Sequence, residues 1–488
     1  MSRFDLSRLR SHPMFAGLTI IFGQGFGQAI SFARNVLLAR LLVPEQFGIA
    51  VTFITVGTFF QMAADLAFDK YLIRNAEKDP AQVRDAIHFL NILRGVLTAL
   101  AVLAISPLVA RMFGAPDYWP VYGLLALAPL FKGFEHLDYK LAQRDIRMVP
   151  EMLCLVGSQA FGFVVTIGLA WLMESPVAIV IGLNAQYFVF TVISHLLADT
   201  RYAAHYDGAM SRRVLAFGLP LVGSGWLSFV GMQGDRIVVG SLMGVRELGA
   251  YATVTLILTS VNALLMAGIG SVAFPILARA QGDSALFADK LHRYAAVAFA
   301  LVCAVFVPLS VCVTFASRLL FGAQYHVDPQ VACQVGIAVS LAFYRAYLAT
   351  ALLAMGRSRA ILMANTLRAS GVLAGALAVA AGRGLVTFTA LMVLAEVVSC
   401  LVSLRLVTGA LSHGRGVHVR YLALCGGMLA VAYVAATRLP VTGPFSIAIA
   451  ACLALAGLAI LYAIEPLCRA MVHNAMSSAR GNQRADIT

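Results

Sequence analysis

The residues with chemistry to offer in this chain are charged side chains set inside apolar stretches: Arg34, Asp65, Arg94, Lys132, Glu135, Asp235, Arg236, Arg345, Arg368 and Glu396. The first, Arg34, is followed by Asn35 within a run from Met14 to Leu42 that otherwise reads as a membrane span. A guanidinium at membrane depth costs roughly 2.5–3.5 kcal/mol on insertion scales, so it turns toward a watery, protein-lined cavity, pairs internally, or snorkels to the interface. Basic members outnumber acidic ones in the set, and a cavity with a cationic bias suits an anionic ligand. Arginine favours phosphate, because its planar fork donates two parallel hydrogen bonds; Lys132 would add a point charge. Arg34, Asn35, Arg94, Lys132, Arg236 and Arg345 are therefore the candidate binding residues. Asp65, Asp235 and Glu396 either pair with these cations or bind a coupling proton or sodium ion. Asp235 and Arg236 are neighbours and face different directions on a helix. Arg40 falls at a helix end, where snorkelling is the simpler reading, and Arg368 lies close enough to a loop to do the same.

The elements that must position these residues are membrane helices. Hydrophobic residues make up 60% of the chain and charged residues 12%, against about 45–50% and about 25% in soluble domains. The apolar runs are about 20 residues long rather than alternating segments of about 10, which argues against a β-barrel. A window of about 19 residues yields about 14 spans, near 15–42, 47–68, 88–113, 119–137, 151–173, 177–197, 214–243, 249–274, 294–317, 330–354, 360–380, 385–407, 421–437 and 444–464. The fourth carries Lys132, Glu135 and His136 in its second half. The N-terminal arginines Arg3, Arg8 and Arg10 precede an apolar run too long for a signal peptide, so the first span reads as uncleaved.

The net charge of +13 is scattered through short loops, with no basic domain for nucleic acid. With the N-terminus inside, the inner loops collect Lys70, Arg74, Lys78, Arg84, Lys140, Arg144, Arg147, Arg201, Arg212, Arg213, Arg279, Lys290, Arg293, Arg357, Arg359, Arg415 and Arg420. The outer loops and their edges hold Arg111, Arg246, Arg318, Arg383 and Arg438. The positive-inside rule then places both termini in the cytoplasm. All outer loops are short, leaving no domain there to carry chemistry. The cysteines (Cys154, Cys303, Cys312, Cys333, Cys400, Cys425, Cys452 and Cys468) lie in or beside apolar runs without a Cys-x-x-Cys pair, and read as small buried thiols with no metal or disulfide role. HExxH, GxSxG and Cys/His metal spacings do not occur, and His136, His195, His292 and His326 are dispersed, so neither an enzyme nor a cofactor is expected. Tyr118 and Trp119 read as an interfacial anchor.

An internal repeat organises the spans. LARLLVPEQFGIA (Leu38 to Ala50) resembles VGSLMGVRELGAY (Val239 to Tyr251). Setting Gly48 on Gly249 places Leu42 on Met243 and Arg34 and Asn35 on Asp235 and Arg236; GQGFGQ (Gly23–Gln28) and GSGWLS (Gly223–Ser228) also correspond. Six spans separate the copies, so the repeat is parallel, with its axis along the membrane normal. The expected architecture is an all-α polytopic membrane protein. Its N-terminal lobe of six helices is 1–213, a second six-helix lobe is 214–420, two further spans are 421–464, and the cytoplasmic tail is 465–488. The glycines of the first and seventh spans serve close helix packing, or let those helices bend; Pro220 and Pro308 would add kinks.

The run FARNVLLARLLVPEQFG (Phe32 to Gly48), followed by DLAFDKYLIR (Asp65 to Arg74), resembles the start of an oligosaccharide flippase of the multidrug/oligosaccharidyl-lipid/polysaccharide (MOP) superfamily, in its polysaccharide-transporter branch. The FAR…AR segment is also similar to the first helix of the lipid II flippases of that superfamily. The resemblance covers the topology of the whole chain and is concentrated, as sequence, in the first two spans. It implies export of an undecaprenyl-diphosphate-linked oligosaccharide across a bacterial inner membrane by alternating access, for O-antigen, capsule or exopolysaccharide assembly. It further implies a monomer among membrane lipids, with a polysaccharide polymerase and chain-length machinery as candidate partners. Arg34 matches the important first-helix arginine of lipid II flippases, which often carry an aspartate next; here Asn35 stands there. Polysaccharide transporters commonly show glycine after Asp-Leu in the second span, where this chain has Ala67. The rivals are a multidrug or small-molecule cation antiporter of the same superfamily, which would favour an acidic cavity, and a membrane polysaccharide polymerase or ligase, which needs chemistry-bearing outer loops.

Overall fold

The computed structural model describes residues 13–74, 80–145, 147–411, 415–439, 441 and 443–464. The basic N-terminal start and the tail 465–488, with Cys468, lie outside them. Among the described residues there are no strands. The helices are α1 (Pro13–Leu41), α2 (Pro44–Ala63), α3 (Phe68–Arg74), α4 (Pro80–Met112), α5 (Trp119–Leu124), α6 (Leu127–Gly133), α7 (Asp138–Arg144), α8 (Val149–Met173), α9 (Val177–Leu196) and α10 (Gly208–Val238). They continue as α11 (Val245–Arg279), α12 (Ser284–Leu301), α13 (Val307–Phe321), α14 (Pro329–Ala354), α15 (Ser358–Ala380), α16 (Leu385–Thr408), α17 (Arg415–Arg438) and α18 (Phe445–Ile464). Wide π-helical turns at Val239–Met243 and Val302–Phe306 extend α10 and join α12 to α13. Each apolar run read from the sequence is helical. By length and composition, 11 helices among the described residues can cross a membrane. They do not include α1 and α10, the helices that carry Arg34 and Arg236.

The fourth run departs from a continuous span. It is broken into α5 and α6, with a second interruption at Phe134–Leu137 before α7. Pro129 sits in the first turn of α6; proline lacks the N–H for the preceding turn and crowds its carbonyl, so the helix restarts there. The freed carbonyls are satisfied from one face of α9: Asn184 Nδ2 donates to Leu124 O (2.9 Å), Thr191 Oγ1 to Phe131 O (2.8 Å), and His195 Nε2 lies 2.9 Å from Phe134 O. Irregular backbone at membrane depth survives only with such partners.

The chain divides into two compact units. Unit 1 is Met1–Gly268 with Ser317–His326 and Val372–Phe388; unit 2 is Ile269–Ala316, Val327–Gly371 and Thr389–Thr488. These group residues by compactness and are distinct from repeat-based lobes at 1–213 and 214–420. Within unit 1 the overlaid glycines meet. A Cβ on Gly48 would collide with the Val245 carbonyl, and one on Gly249 with the Pro44 carbonyl; their amide nitrogens face each other's Cβ positions at 3.1 Å. Each member makes on its partner the contact it receives, the signature of a local two-fold. Beside this contact, Arg40 donates from Nε and Nη2 to Leu320 O (2.6 Å) and Leu319 O (2.5 Å), capping the end of α13. Tyr325 Oη donates to Ala39 O at 2.8 Å.

In unit 2 the last two spans pack against its other helices; Gly457 of α18 lies so close to Cys303 that an added Cβ would be 2.6 Å from that side chain. The cysteines among the described residues are free thiols, buried at 154, 303, 333, 400 and 425, half-buried at 312 and exposed at 452.

Candidate functional site

Two glycines bring the central cations together. Gly95 of α4 and Gly133 of α6 cross so closely that a Cβ on Gly95 would lie 2.7 Å from Pro129 O, and one on Gly133 2.9 Å from Asn91 O. Backbones approach this closely only through small residues. Each glycine directly follows a cation, Arg94 and Lys132, so the crossing sets both cations at one wall. Arg94 lies over the Phe68 ring, 5.5 Å from its centroid. Among the described residues neither Arg94 nor Lys132 has a carboxylate within 4.0 Å of its charged nitrogens.

The wall separates two chambers, both within unit 1. A polar chamber of about 490 Å³ is lined by α1, α2, α4, α8 and α9 together with the interrupted segment. A smaller apolar chamber of about 210 Å³ is lined by Ile54, Phe60, Val102, Leu125, Pro129 and Leu183 among others. Gln61, Asp65, Arg94, Lys132 and Tyr187 line both. With Asp69, Glu135, Lys140 and Glu151 the polar chamber presents four carboxylates and three cations, so the basic excess expected from the sequence is not found in its lining. The carboxylates are engaged. Asp65 Oδ1 accepts from Ala67 N (2.9 Å), Glu135 Oε2 from Tyr139 Oη (3.2 Å), and Lys140 Nζ bridges Glu151 (2.7 Å) and Asp69 (3.9 Å). Among the described residues Arg94 and Lys132 make no ion pair within 4.0 Å, and neither do Asp65 and Glu135, whose partners are neutral donors.

The remaining candidates are dispersed. Arg34 stands behind the polar chamber, 7% exposed; its Nη1 donates to Gln186 Oε1 at 3.3 Å, Gln186 lines the chamber, and its Nε is buried without a partner among the described residues. Asn35 is buried and its Oδ1 likewise unpartnered. Asp235 accepts from Tyr251 Oη at 2.9 Å, and Arg236 is buried outside both chambers. In unit 2, Arg345 Nε donates to Glu396 Oε1 at 2.6 Å, Arg368 Nε lies 3.3 Å from Glu396 Oε2, and Arg345 Nη1 reaches Asn365 Oδ1 at 3.5 Å. The Arg345 fork is thus occupied by an internal carboxylate, the pairing alternative for Glu396. The chamber's amides and phenols, Gln61, Asn91, Gln159, Gln186, Tyr139 and Tyr187, were not singled out from sequence; each is a polar group inside an apolar run, and that was the available signal. No cluster of histidine, cysteine, aspartate or glutamate able to hold a metal occurs among the described residues.

The described residues thus form a polytopic helical bundle with a broken span and charges on a chamber wall. Its fold is that of the MOP flippases: a lipid II flippase, MurJ, in an inward closed conformation superposes with a TM-score of 0.64 at 14% identity, covering 92% of this chain and 99% of that one. An inward-facing multidrug resistance MATE family transporter of the MOP superfamily gives 0.62 at 14% identity, covering 84% and 98%. Over residues 37–328 the sequence matches the family described as polysaccharide biosynthesis protein, and the chain belongs to that family. Among curated relatives it is 24% identical over 302 residues to the succinoglycan biosynthesis transport protein ExoT of Rhizobium meliloti, covering 61% of this chain and 60% of that protein. It is 20% identical over 313 residues to the lipopolysaccharide biosynthesis protein WzxC of Escherichia coli, covering 63% of each. The match therefore spans a little over three-fifths of the relatives' own length. The chain is a multi-pass membrane protein of that family.

Proposed function

We propose that this chain moves a polyprenyl-diphosphate-linked oligosaccharide from the cytoplasmic to the periplasmic leaflet of a bacterial inner membrane, by alternating access of its two repeats. The observation that carries the proposal is the pair Arg94 and Lys132, set together at a chamber wall by the Gly95–Gly133 crossing and making no ion pair within 4.0 Å among the described residues. An anion supplied from outside completes that arrangement, and a diphosphate suits a guanidinium fork beside an ammonium. Arg34 supports the same chamber through Gln186. The names of the relatives, a succinoglycan transport protein and a lipopolysaccharide biosynthesis protein, favour a glycan-bearing substrate. Moving about two negative charges outward against an inside-negative potential releases roughly 4–5 kcal/mol per 100 mV, so the potential alone can drive export.

A second reading has a specific observation behind it. Asp65, Asp69, Glu135 and Glu151 line the same chamber, as a cation antiporter would require. Their existing donors argue against it. The test is complementation of a deletion strain that accumulates lipid-linked oligosaccharide on the inner leaflet. Wild type clears the pool; the Arg94→Ala, Lys132→Ala double variant at equal abundance does not. Full export by the double variant, or uptake of organic cations by proteoliposomes in place of export, overturns the proposal.

A further inference from the structure

The two chambers differ in what their polar groups still need. In the polar chamber, Asn91 is 2% exposed and its Oδ1 has no partner among the described residues; Gln159 is half-buried, and its Oε1 is likewise buried without a partner. An unsatisfied buried amide costs about 1–3 kcal/mol, so these positions wait for a ligand or water that donates. A phosphate at neutral pH offers chiefly acceptors. A sugar hydroxyl both donates and accepts, and so satisfies an amide whichever way it is turned. Tyr139, Tyr187 and Phe190 add ring faces beside the amides.

Away from the shared wall the smaller chamber is apolar, and its hydroxyls are used: Thr58 Oγ1 donates to Ile54 O and Thr98 Oγ1 to Arg94 O, both at 2.8 Å, and Tyr187 Oη donates to Gln61 Oε1 at 3.0 Å. At about 210 Å³ it exceeds the roughly 150 Å³ apolar cavity that admits benzene. An isoprene unit is no larger than benzene. Between the chambers stand Arg94 and Lys132, which line both.

From this order we infer that unit 1 reads the junction of its substrate through three adjoining subsites. The polar chamber takes the hydroxyls of the first sugar, Arg94 and Lys132 take the diphosphate, and the apolar chamber takes the first isoprene unit. The inference rests on the lipid-linked substrate proposed above and adds where each part of it sits. A free sugar, a free anion or a free lipid would each leave at least one subsite empty; the linked molecule fills all three in covalent order. Recognition is thereby directed at the junction, the part of the substrate common to glycans of any length.

Soluble fragments separate the subsites. The full chain in nanodiscs is titrated calorimetrically with inorganic pyrophosphate, geranyl diphosphate, inorganic phosphate and glucose 1-phosphate. Geranyl diphosphate is expected to bind about ten-fold or more tighter than pyrophosphate, since burying a few methylenes is worth that much. Ala128→Phe, which fills the apolar chamber, removes that advantage and leaves pyrophosphate affinity unchanged; Thr98→Leu is the milder second variant should the first not fold. Glucose 1-phosphate is expected to outbind phosphate, and Asn91→Leu with Gln159→Leu abolishes the difference. If the prenyl and sugar groups add nothing, or the chamber variants leave their advantage intact, the three-subsite inference is wrong while Arg94-dependent pyrophosphate binding still upholds the proposed function. If pyrophosphate binding is indifferent to Arg94→Ala and Lys132→Ala, the underlying proposal fails as well.

Discussion

Two sets of cations within apolar segments of this molecule have opposite fates. In unit 2, Arg345 and Arg368 share the carboxylate of Glu396, at 2.6 and 3.3 Å. In unit 1, Arg94 and Lys132 sit beside Asp65 and Glu135, yet those carboxylates accept from a backbone amide and a phenol instead. Basic and acidic side chains stand close together in both places. What differs is whether the chain supplies the counter-ion. An arginine whose fork is filled internally holds helices together, while one left open at a chamber wall has capacity for a ligand. Charge at membrane depth is therefore read from what its neighbours are already doing, and each half of that contrast can be broken by substitution.

The largest effect is expected at Glu396. Glu396→Ala leaves Arg345 buried without its partner, and stranding one member of such a pair costs about 3–5 kcal/mol. The thermal melting temperature of the purified protein should fall sharply. Replacing both members with apolar residues, Arg345→Met with Glu396→Leu, should recover most of the loss, because a well-packed apolar pair often matches a buried ion pair. Arg94→Ala should behave in the opposite way. It removes a cation–π contact worth about 0.5–1 kcal/mol at most, so melting moves little. Affinity for pyrophosphate should fall about ten- to a hundred-fold, the value of hydrogen bonds to charged groups. If Arg94→Ala destabilises as strongly as Glu396→Ala, the contrast between the two sites does not exist.

Asp138 tests whether pairing, rather than membership of a unit, decides the outcome. It lies in unit 1 at the start of α7, 8% exposed, and is as fully engaged as Glu396. Arg84 Nη1 donates to its Oδ1 at 3.0 Å, and Thr200 donates to Oδ2 from Oγ1 (2.7 Å) and N (2.9 Å). Burial pushes this carboxyl upward, but the Thr200 hydrogen bond, His136 and Arg84 outweigh it and hold the group below the usual carboxylate range. A depressed folded-state value means the stabilisation is complete above the unfolded value near 3.9 and is lost as pH falls through the folded one. Asp138→Asn should therefore melt lower than wild type by about 1.5–3 kcal/mol throughout the neutral range. The gap should close only below about pH 4. A gap that instead narrows between pH 8 and 6 would assign the stabilisation to another group.

Much of this was legible in the sequence, for reasons that also mark where legibility stopped. Apolar runs long enough to span a membrane announce their helices, and apart from the broken fourth run each forms a long helix. The overlay of Gly48 on Gly249 has a direct counterpart, because the two residues meet across a local two-fold. The break in the fourth run was foreshadowed by the charges in it, but its position depends on Pro129 and on Asn184, Thr191 and His195 of a different helix. Partners were not legible. Arg34 finds Gln186, in α9, and nothing in the spacing of either helix points to the other. The desolvation argument that marks charges at membrane depth also marks, at lower cost, the amides Gln61, Asn91, Gln159 and Gln186.

The smallest expected effect falls on Ala67, where a departure in sequence and a feature of the backbone coincide. Ala67 adopts φ of 50°, the left-handed region, at the link between α2 and α3. Its amide donates to Asp65 Oδ1 at 2.9 Å, so this turn holds one oxygen of a carboxylate that lines the same chambers as Arg94 and Lys132. A non-glycine residue in the left-handed region costs roughly 1–2 kcal/mol. Glycine would relieve that cost but adds about 0.4–1 kcal/mol of unfolded-state entropy. Relief is the larger quantity, so Ala67→Gly should stabilise the protein by about 0.5–1 kcal/mol. Because the turn and the Asp65 hydrogen bond are preserved, pyrophosphate affinity should not change. Asp65→Asn at the same turn makes the complementary measurement. The amide oxygen can still accept from Ala67, but the negative charge is gone, and pyrophosphate should bind somewhat more tightly. Weaker binding to Asp65→Asn would mean that Asp65 organises the cations directly, and that Arg94 and Lys132 are paired sites of the unit 2 kind after all.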